Sequence, residues 1–568
     1  MRLKCFKKKS GQTLRSHLEI NKSILQKYFL FFLFLQLLFS QVFKINAKWN
    51  FLFIITDQQR ADHLSCYNDN IILKTPNIDM IAKEGIKFTH FYCNNPICMP
   101  NRSTIFTGQY PSFHGVTTNG RNLPKGTKTF LDILSKSGLY YTASFGKIHL
   151  NYFGAPSGEF TNPIESQEFA QAKNYPNLSN DIPYFGLEEF KIISGHGTFC
   201  GHPDYINWVK MKIADNPALA KPLRIRPRSS EEMFQTKLNI SFDTTDPMGR
   251  IQVLRHNIPE ELYSTTFVKE HTIDFLKRFA DGQYSKPHFF AFCSFPDPHH
   301  PYTPPGKYFN MFRPEDVILP KSFHDNHEKS SEFNKKHYNE LLKSEGTEKQ
   351  IFPIPKEVKE GEARRVIAGS YGMEKMIDDA VGEILNSLEK YGLADNTVVI
   401  YTSDHGELGG DHRFFFKGPF LYQGLIKIPF LISVPNMIKG QVVDSLVSSI
   451  DIPETILELC GFPIPNTMQG RSMLPILNNS AEKINEEILI EMDDDHNNEK
   501  TRSLITTDWR ITVFRNHGEL YNLKEDPDEM NNLWNNHDFN EKKHELLLRL
   551  LRRCINTQNY SVKRDCGY

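Results

Sequence analysis

Three short runs of almost unbroken apolar, β-prone residues constrain this chain more than any other feature, because each ends on a polar cluster. Residues 50–56 (NFLFIIT) lead into Asp57-Gln58, residues 288–295 (HFFAFCSF) into Asp297, His299 and His300, and residues 397–403 (TVVIYTS) into Asp404-His405. A strand with no polar face is one covered on both sides, the condition of a parallel sheet between helices. Apolar residues at helical spacing over 77–84, 129–137 and 368–391 supply candidate helices. Ligands of such open sheets gather outside the carboxyl ends of the strands. Asp57, His299 and Asp404 are therefore expected on one rim.

At 568 residues the chain exceeds one ordinary core. The pattern changes beyond residue 477, with short strand-like runs at 487–492, 502–507 and 510–514 and a helix over 540–553. The expected fold class is α/β. A large, mixed, mostly parallel sheet sandwiched by helices occupies 48–477, and a smaller α+β subdomain of antiparallel strands and a helix occupies 478–568. Residues 155–262 are polar, rich in Pro and Asn and weakly periodic; they read as a loop-rich insertion over the rim that includes 195–208. A second polar stretch spans 314–362, and Asp493-Asp494-Asp495-His496 reads as a solvated turn. Lys plus Arg and Asp plus Glu both number 67, so no overall field draws the protein to nucleic acid.

Basic residues from Arg2 to Lys27 precede an apolar run over 28–43, and Ala47 offers a small residue for cleavage. That is the form of a secretory signal. The run is shorter than the roughly 20 residues of a spanning helix, and the long basic leader leaves an uncleaved membrane anchor open for residues 1–47. Either way the folded part faces the secretory lumen, for a lysosomal or secreted destination. Some of the nine cysteines are then expected to pair, Cys554 with Cys566 being the easiest local pairing. Sequons stand at Asn177, Asn239, Asn478 and Asn559, and a further one begins at Asn101.

The heptad Cys98-Met99-Pro100-Asn101-Arg102-Ser103-Thr104 carries a thiol one helical turn before an arginine. Alone it reads equally well as a buried structural cysteine at a helix start. Each Asp alone reads more readily as a cap or turn residue, and a lone His or Lys as surface or satisfied core. Together, Asp57, Gln58, Asp404, His405 and residue 98 make a donor set for one divalent cation. The oxygen ligands favour Ca²⁺ or Mg²⁺, while the imidazole pulls towards Mn²⁺.

Cys98-x-Pro100-x-Arg102 followed by Thr107-Gly108 resembles the signature of type I sulfatases, in which the cysteine is oxidised to formylglycine. Further blocks resemble that family in its order: Asp57-Gln58-Gln59-Arg60-Ala61-Asp62, Thr75-Pro76-Asn77-Ile78-Asp79, Gly146-Lys147-Ile148-His149 and Ser403-Asp404-His405-Gly406-Glu407. So do Gly410-Asp411-His412, Lys417-Gly418-Pro419-Phe420, Gln469-Gly470-Arg471-Ser472 and Glu519-Leu520-Tyr521-Asn522-Leu523 with Glu525-Asp526-Pro527. The likeness runs from residue 49 to about 535, with 155–262 unmatched.

The resemblance implies an alkaline phosphatase-like fold and a sulfuric ester hydrolase. Its substrate would be a sulfated glycan or small molecule, and its maturation would need a formylglycine-generating enzyme. Asp57, Gln58, Asp404, His405 and residue 98 would hold the cation, with Ca²⁺ preferred. Arg102 would hold the hydrated aldehyde of residue 98, and Lys147 and Lys417 the sulfate oxygens. His149 would accept a proton and His299 give one to the leaving group. His300, its neighbour, and Asn119 would be polar substrate contacts. Gln58 stands where many members have a second Asp, and Asn101 where they have Ser. Both forms resemble phosphonate monoester and phosphodiester hydrolases of the same superfamily, whereas Gly-Lys-Ile-His favours sulfate. A secreted binding protein without catalysis and a thiol hydrolase are the readings from other classes.

Overall fold

The computed structural model describes residues 49–153, 164–166, 182–223, 252–343, 358–494 and 498–557. The leader, Cys566 and the sequons at 177, 239 and 559 lie outside these residues. The first ten strands are β1 (Asn50–Thr56), β2 (Ile86–Phe88), β3 (Phe91–Tyr92), β4 (Tyr140–Gly146), β5 (Glu189–Ile192), β6 (His288–Ser294), β7 (Thr397–Ser403), β8 (Phe430–Ser433), β9 (Gln441–Val443) and β10 (Val447–Ser448). Eight of them form one sheet in the order β5-β4-β6-β1-β7-β8-β2-β9, while β3 pairs with β10. Only β8 runs against the other strands of the large sheet.

The uninterrupted apolar character of the central strands has a direct cause. Phe51, Phe53 and Ile55 of β1 enter one core with Phe290, Phe292, Val398 and Ile400. Leu52 and Ile54 enter the opposite core with Phe289, Ala291, Cys293, Val399 and Tyr401. Both faces are buried, so alternation has no solvent side to mark. Phe53 and Phe292 stack across neighbouring strands at 5.3 Å.

Register aligns the strand ends. Thr56 lies opposite Ser403, so Asp57 and Asp404 leave the sheet side by side. Ile55 and Gly146 both lie opposite Ser294, which brings out Lys147 one step away. At Gly146 (φ 111°) a Cβ would stand 1.8 Å from the Ser294 carbonyl oxygen, so only glycine fits where this strand turns out.

The expected helices lie at Pro76–Lys83, Phe130–Lys136 and Glu360–Lys390. The last begins eight residues before 368, because its first turns (EGEARR) are charged outside while Ala363, Val366 and Ile367 are buried. The reading of 195–208 as loop is corrected in part. Helix Pro203–Asp215 opens with Pro203 at its first turn and buries Tyr205, Trp208 and Val209, an i, i+3, i+4 stripe packed on Phe267.

The final sheet is an antiparallel meander of β11 (Ile488–Asp494), β12 (Glu499–Ile505), β13 (Trp509–Val513) and β14 (Gly518–Asn522). Helix Asn540–Asn556 covers it, with Leu546 and Leu550 against Leu489, Leu504, Ile511 and Leu520. Asp493, read as part of a solvated turn, is instead a buried strand residue paired with Arg502 at 3.0 Å. No described helix is long and apolar enough to cross a membrane. The seven described cysteines are all unpaired.

Candidate active site

Cys98 opens helix Cys98–Thr107, in which every residue is buried. Its Sγ accepts from Lys417 Nζ at 3.0 Å and lies 3.2 Å from His405 Nε2 and 3.7 Å from Asp57 Oδ1. Burial and Asp57 push the thiol up, but Lys147, Lys417 and His405 outweigh them and hold it below its ordinary range. Arg102, one turn along the same face, is fully buried. It donates through Nε to Asp404 Oδ2 (2.7 Å), through NH1 to the Lys147 carbonyl (2.8 Å) and Ser294 Oγ (2.9 Å), and through NH2 to Asp57 Oδ2 (3.4 Å). One guanidinium thus ties together the ends of four strands. Asn101, also buried, accepts from Asn94 N–H at 3.0 Å and donates to the Asp404 carbonyl and Ser449 Oγ.

The carboxylates meet this helix from the sheet. Lys147 Nζ donates to Asp57 Oδ2, and both side chains are wholly buried. Burial would raise the Asp57 carboxyl, yet Lys147, His196, Arg102 and Lys417 hold it well below the usual range. Asp404 Oδ1 accepts the backbone N–H of Gln58 (3.1 Å) and of His405 (2.9 Å). His405 Nδ1 shares its hydrogen bond with the Gly406 carbonyl at 2.8 Å. A carbonyl only accepts, so Nδ1 carries a proton and Nε2 is left to face Cys98.

Gln58 sits in the left-handed region (φ 65°). Its Nε2 donates to Glu407 Oε2 and to His300 Nδ1 (2.9 Å), using both amide hydrogens. Its Oε1 is buried without a hydrogen-bond partner. Ligand atoms of Asp57, Cys98, Asp404 and His405 all lie within 4.8 Å of one another. Hard carboxylate oxygens, one imidazole nitrogen and an orphaned amide oxygen fit a divalent cation.

The other expected residues converge on the same place. Lys417 Nζ contacts His299 Nε2 at 2.9 Å and His405 Nε2 at 3.1 Å. Burial lowers its ammonium, but Cys98, Asp57 and Asp404 raise it above the ordinary lysine range. His299 donates through Nδ1 to the His300 carbonyl at 2.5 Å, leaving Nε2 to face Lys417. His149 (φ 60°) stacks on Phe153 at 4.0 Å, and its Nδ1 is buried without a hydrogen-bond partner. Burial, then Lys147 and Arg102, hold its imidazole well below the ordinary range; burial and His196 do the same at His299. Asn119, an exposed residue, accepts the Met99 N–H at 3.1 Å and so caps the first turn of the Cys98 helix.

Three residues here escape sequence reasoning. His196 follows β5, lies 2.7 Å from Lys147 Nζ and 3.8 Å from Asp57 Oδ2, and stacks on His299 at 3.5 Å. Its signal was a histidine between two glycines, both at positive φ, after a strand too polar (EFKI) to be recognised. Glu407, which orients Gln58, stood in a quoted block without a role. Glu165 accepts from the backbone of the His149 turn and had no local signal.

Against this geometry, the family model described as Sulfatase matches residues 49–462, and the one described as N-sulphoglucosamine sulphohydrolase, C-terminal, matches residues 410–556. An arylsulfatase of Clostridium perfringens is 28% identical over 508 residues, covering 87% of this chain and 92% of its own. An N-acetylglucosamine-6-O-sulfatase of Bacteroides thetaiotaomicron is 25% identical, covering 88% of this chain and 85% of its own. The phosphonate monoester hydrolase of Agrobacterium radiobacter superposes with a TM-score of 0.67 at 22% identity over 89% of this chain and 96% of its own; that likeness is one of fold.

Proposed function

Because the chain belongs to the sulfatase family, whose model spans residues 49–462, we propose that this sulfatase removes sulfate from a sulfated carbohydrate with a nucleophile made from Cys98. One arrangement carries the reading. Cys98 Sγ lies at the meeting point of Lys417, His405 and Asp57, with a second buried lysine, Lys147, on the same carboxylate. The N-acetylglucosamine-6-O-sulfatase relative supports a sugar sulfate as the substrate class.

Asp57, Gln58, Asp404, His405 and residue 98 would hold the cation, Ca²⁺ by preference from the oxygen donors, with Mg²⁺ or Mn²⁺ as alternatives. Bound there, it supplies Lewis-acid polarisation and stabilises anionic oxygen. A generating enzyme with its own two-electron oxidant would convert the Cys98 side chain to the aldehyde of formylglycine, its sulfur leaving as H₂S; addition of water then gives a hydrate whose two hydroxyls allow attack and then release.

The chain's own groups do the rest. Lys147 and Lys417 provide fixed positive charge for the sulfate oxygens, Lys147 from a fully buried position. Arg102, anchored on both aspartates, fixes residue 98 and neutralises its oxyanion. His149 accepts a proton through its unpartnered Nδ1. His299, once protonated at Nε2, would give that proton to the leaving alkoxide; in the free site Nε2 faces the Lys417 ammonium at 2.9 Å. Asn119 and His300 line the sulfate's surroundings as polar contacts. The leader supports entry into the secretory pathway, for lysosomal delivery or secretion.

A second reading rests on Gln58 and Asn101: hydrolysis of a phosphonate monoester or phosphodiester. Rates on an aryl sulfate and on a phosphodiester with the same leaving group decide. A higher kcat/KM on the sulfate is expected, and the reverse order overturns the proposal.

A further inference from the structure

We propose that Glu165 is the positioning residue for His149. The inference rests on the role given to His149 above and extends it to a group outside every family block in the sequence.

Glu165 is 0% exposed. Its Oε1 accepts the N–H groups of Leu150 and Asn151, each at 2.9 Å, and the Tyr184 hydroxyl at 2.7 Å; its Oε2 accepts the N–H of His149. Three consecutive backbone N–H groups therefore converge on one side chain. Such a concave nest is an anion site, and here the anion is internal. The turn it clasps has no ladder of its own, since β4 ends at Gly146.

His149 lies in the left-handed region at φ 60°, a conformation costly for any residue but glycine. Its ring has a stacking contact with Phe153, and Nδ1 has no hydrogen-bond partner. What fixes the ring is therefore the backbone beneath it; Arg102 holds the Lys147 carbonyl and Leu123 N–H the Leu150 carbonyl, but the N–H groups of His149, Leu150 and Asn151 all end on the Glu165 carboxylate. Glutamine cannot replace it: one amide oxygen accepts, but the NH₂ would face N–H donors.

A double-mutant cycle of Glu165→Gln and His149→Ala on an aryl sulfate tests this, with Tm recorded for each protein. Misplacing a reacting group by an ångström costs about 100-fold in rate, so E165Q is expected to lower kcat by about that factor while remaining folded. In the H149A background E165Q should have no further effect. Equal losses in both backgrounds would mean that Glu165 supports the fold at large, and the inference would be overturned. It falls alone if H149A is slow and E165Q is not, whereas a fully active H149A removes the role of His149 itself. Tyr184→Phe, which takes one hydrogen bond from Oε1, carries the same cycle if E165Q does not fold; it should show a smaller loss, again absent with H149A.

Discussion

Gln58 spends both amide hydrogens, one on Glu407 Oε2 and one on His300 Nδ1, and so leaves Oε1 as its only unpartnered atom. The acid beside it decides which end of the amide is free. Glu407 itself is held by the N–H groups of Gly409 and Phe416, and burial raises its carboxyl above the ordinary range. A second Asp at position 58 would face Glu407 with like charge; glutamine faces it as a donor.

Glu407→Gln should therefore weaken divalent cation binding. The amide of Gln58 loses its fixed orientation, and the site loses a nearby negative charge. Supporting partners of metal ligands contribute about 10- to 100-fold in affinity. Calorimetric titration of Ca²⁺ into metal-stripped protein should show a loss of that size, independently of turnover; an unchanged affinity would separate Glu407 from the site.

Tryptic peptide 88–102 contains both Cys98 and Asn101. Protein secreted by cells that make formylglycine should yield this peptide lighter by the difference between a thiol and an aldehyde. It should also carry no glycan, because Asn101 is buried and bonded to Asp404 and Ser449. Asn478, which is exposed, should accept one. A free thiol in active protein would overturn the nucleophile assigned here, and a free thiol in inactive protein would favour a binding role.

Lys417 touches Cys98, His299 and His405 at once. Lys417→Met keeps most of its volume and removes its charge. Loss of one such donor to a developing anion costs about 10²- to 10³-fold in kcat. Steady-state kinetics on the aryl sulfate should show that loss in kcat and kcat/KM together. A rise in KM alone would make the lysine a binding group only.

His114 links pH to stability. It is buried, with Nε2 3.1 Å from Thr104 Oγ1 and Nδ1 accepting the Val116 N–H at 3.1 Å. Burial holds its imidazole down at about 3. The folded value lies below the unfolded one of about 6.5, so the folded chain binds fewer protons at this site. Its contribution is complete above the unfolded value and is lost as pH falls towards the folded one. Between pH 7 and pH 5 that amounts to about 2 kcal/mol. Urea denaturation at the two pH values should show wild type losing about that much more than His114→Gln.

Much of this site was legible before any tertiary contact was known. The runs ending at Asp57, His299 and Asp404 announced buried parallel strands, and their polar ends do lie on one rim: Asp57 and His405 stand 3.7 and 3.2 Å from Cys98 Sγ, and His299 stands 2.9 Å from the Lys417 ammonium that also touches Cys98. The motif around Cys98 proved to be a helix start beneath them. What escaped had no periodicity to carry it. Glu189–Ile192 is a short edge strand with polar residues, and Pro203–Asp215 has a single turn of apolar stripe. Asp493 looked solvated because three acids stand together, yet its own side chain turns inward to Arg502.

The chain alone determined which residues stand at strand ends and which cysteine-bearing helix start they meet, because burial on two faces and strand-end polarity are written in consecutive positions. Only the tertiary structure decided that His196 stacks on His299, that Glu407 turns the amide of Gln58, and that Glu165 clasps the turn of His149. Those pairings join loops through sheet register and loop closure, and no local pattern of apolar and polar residues encodes which loops will meet.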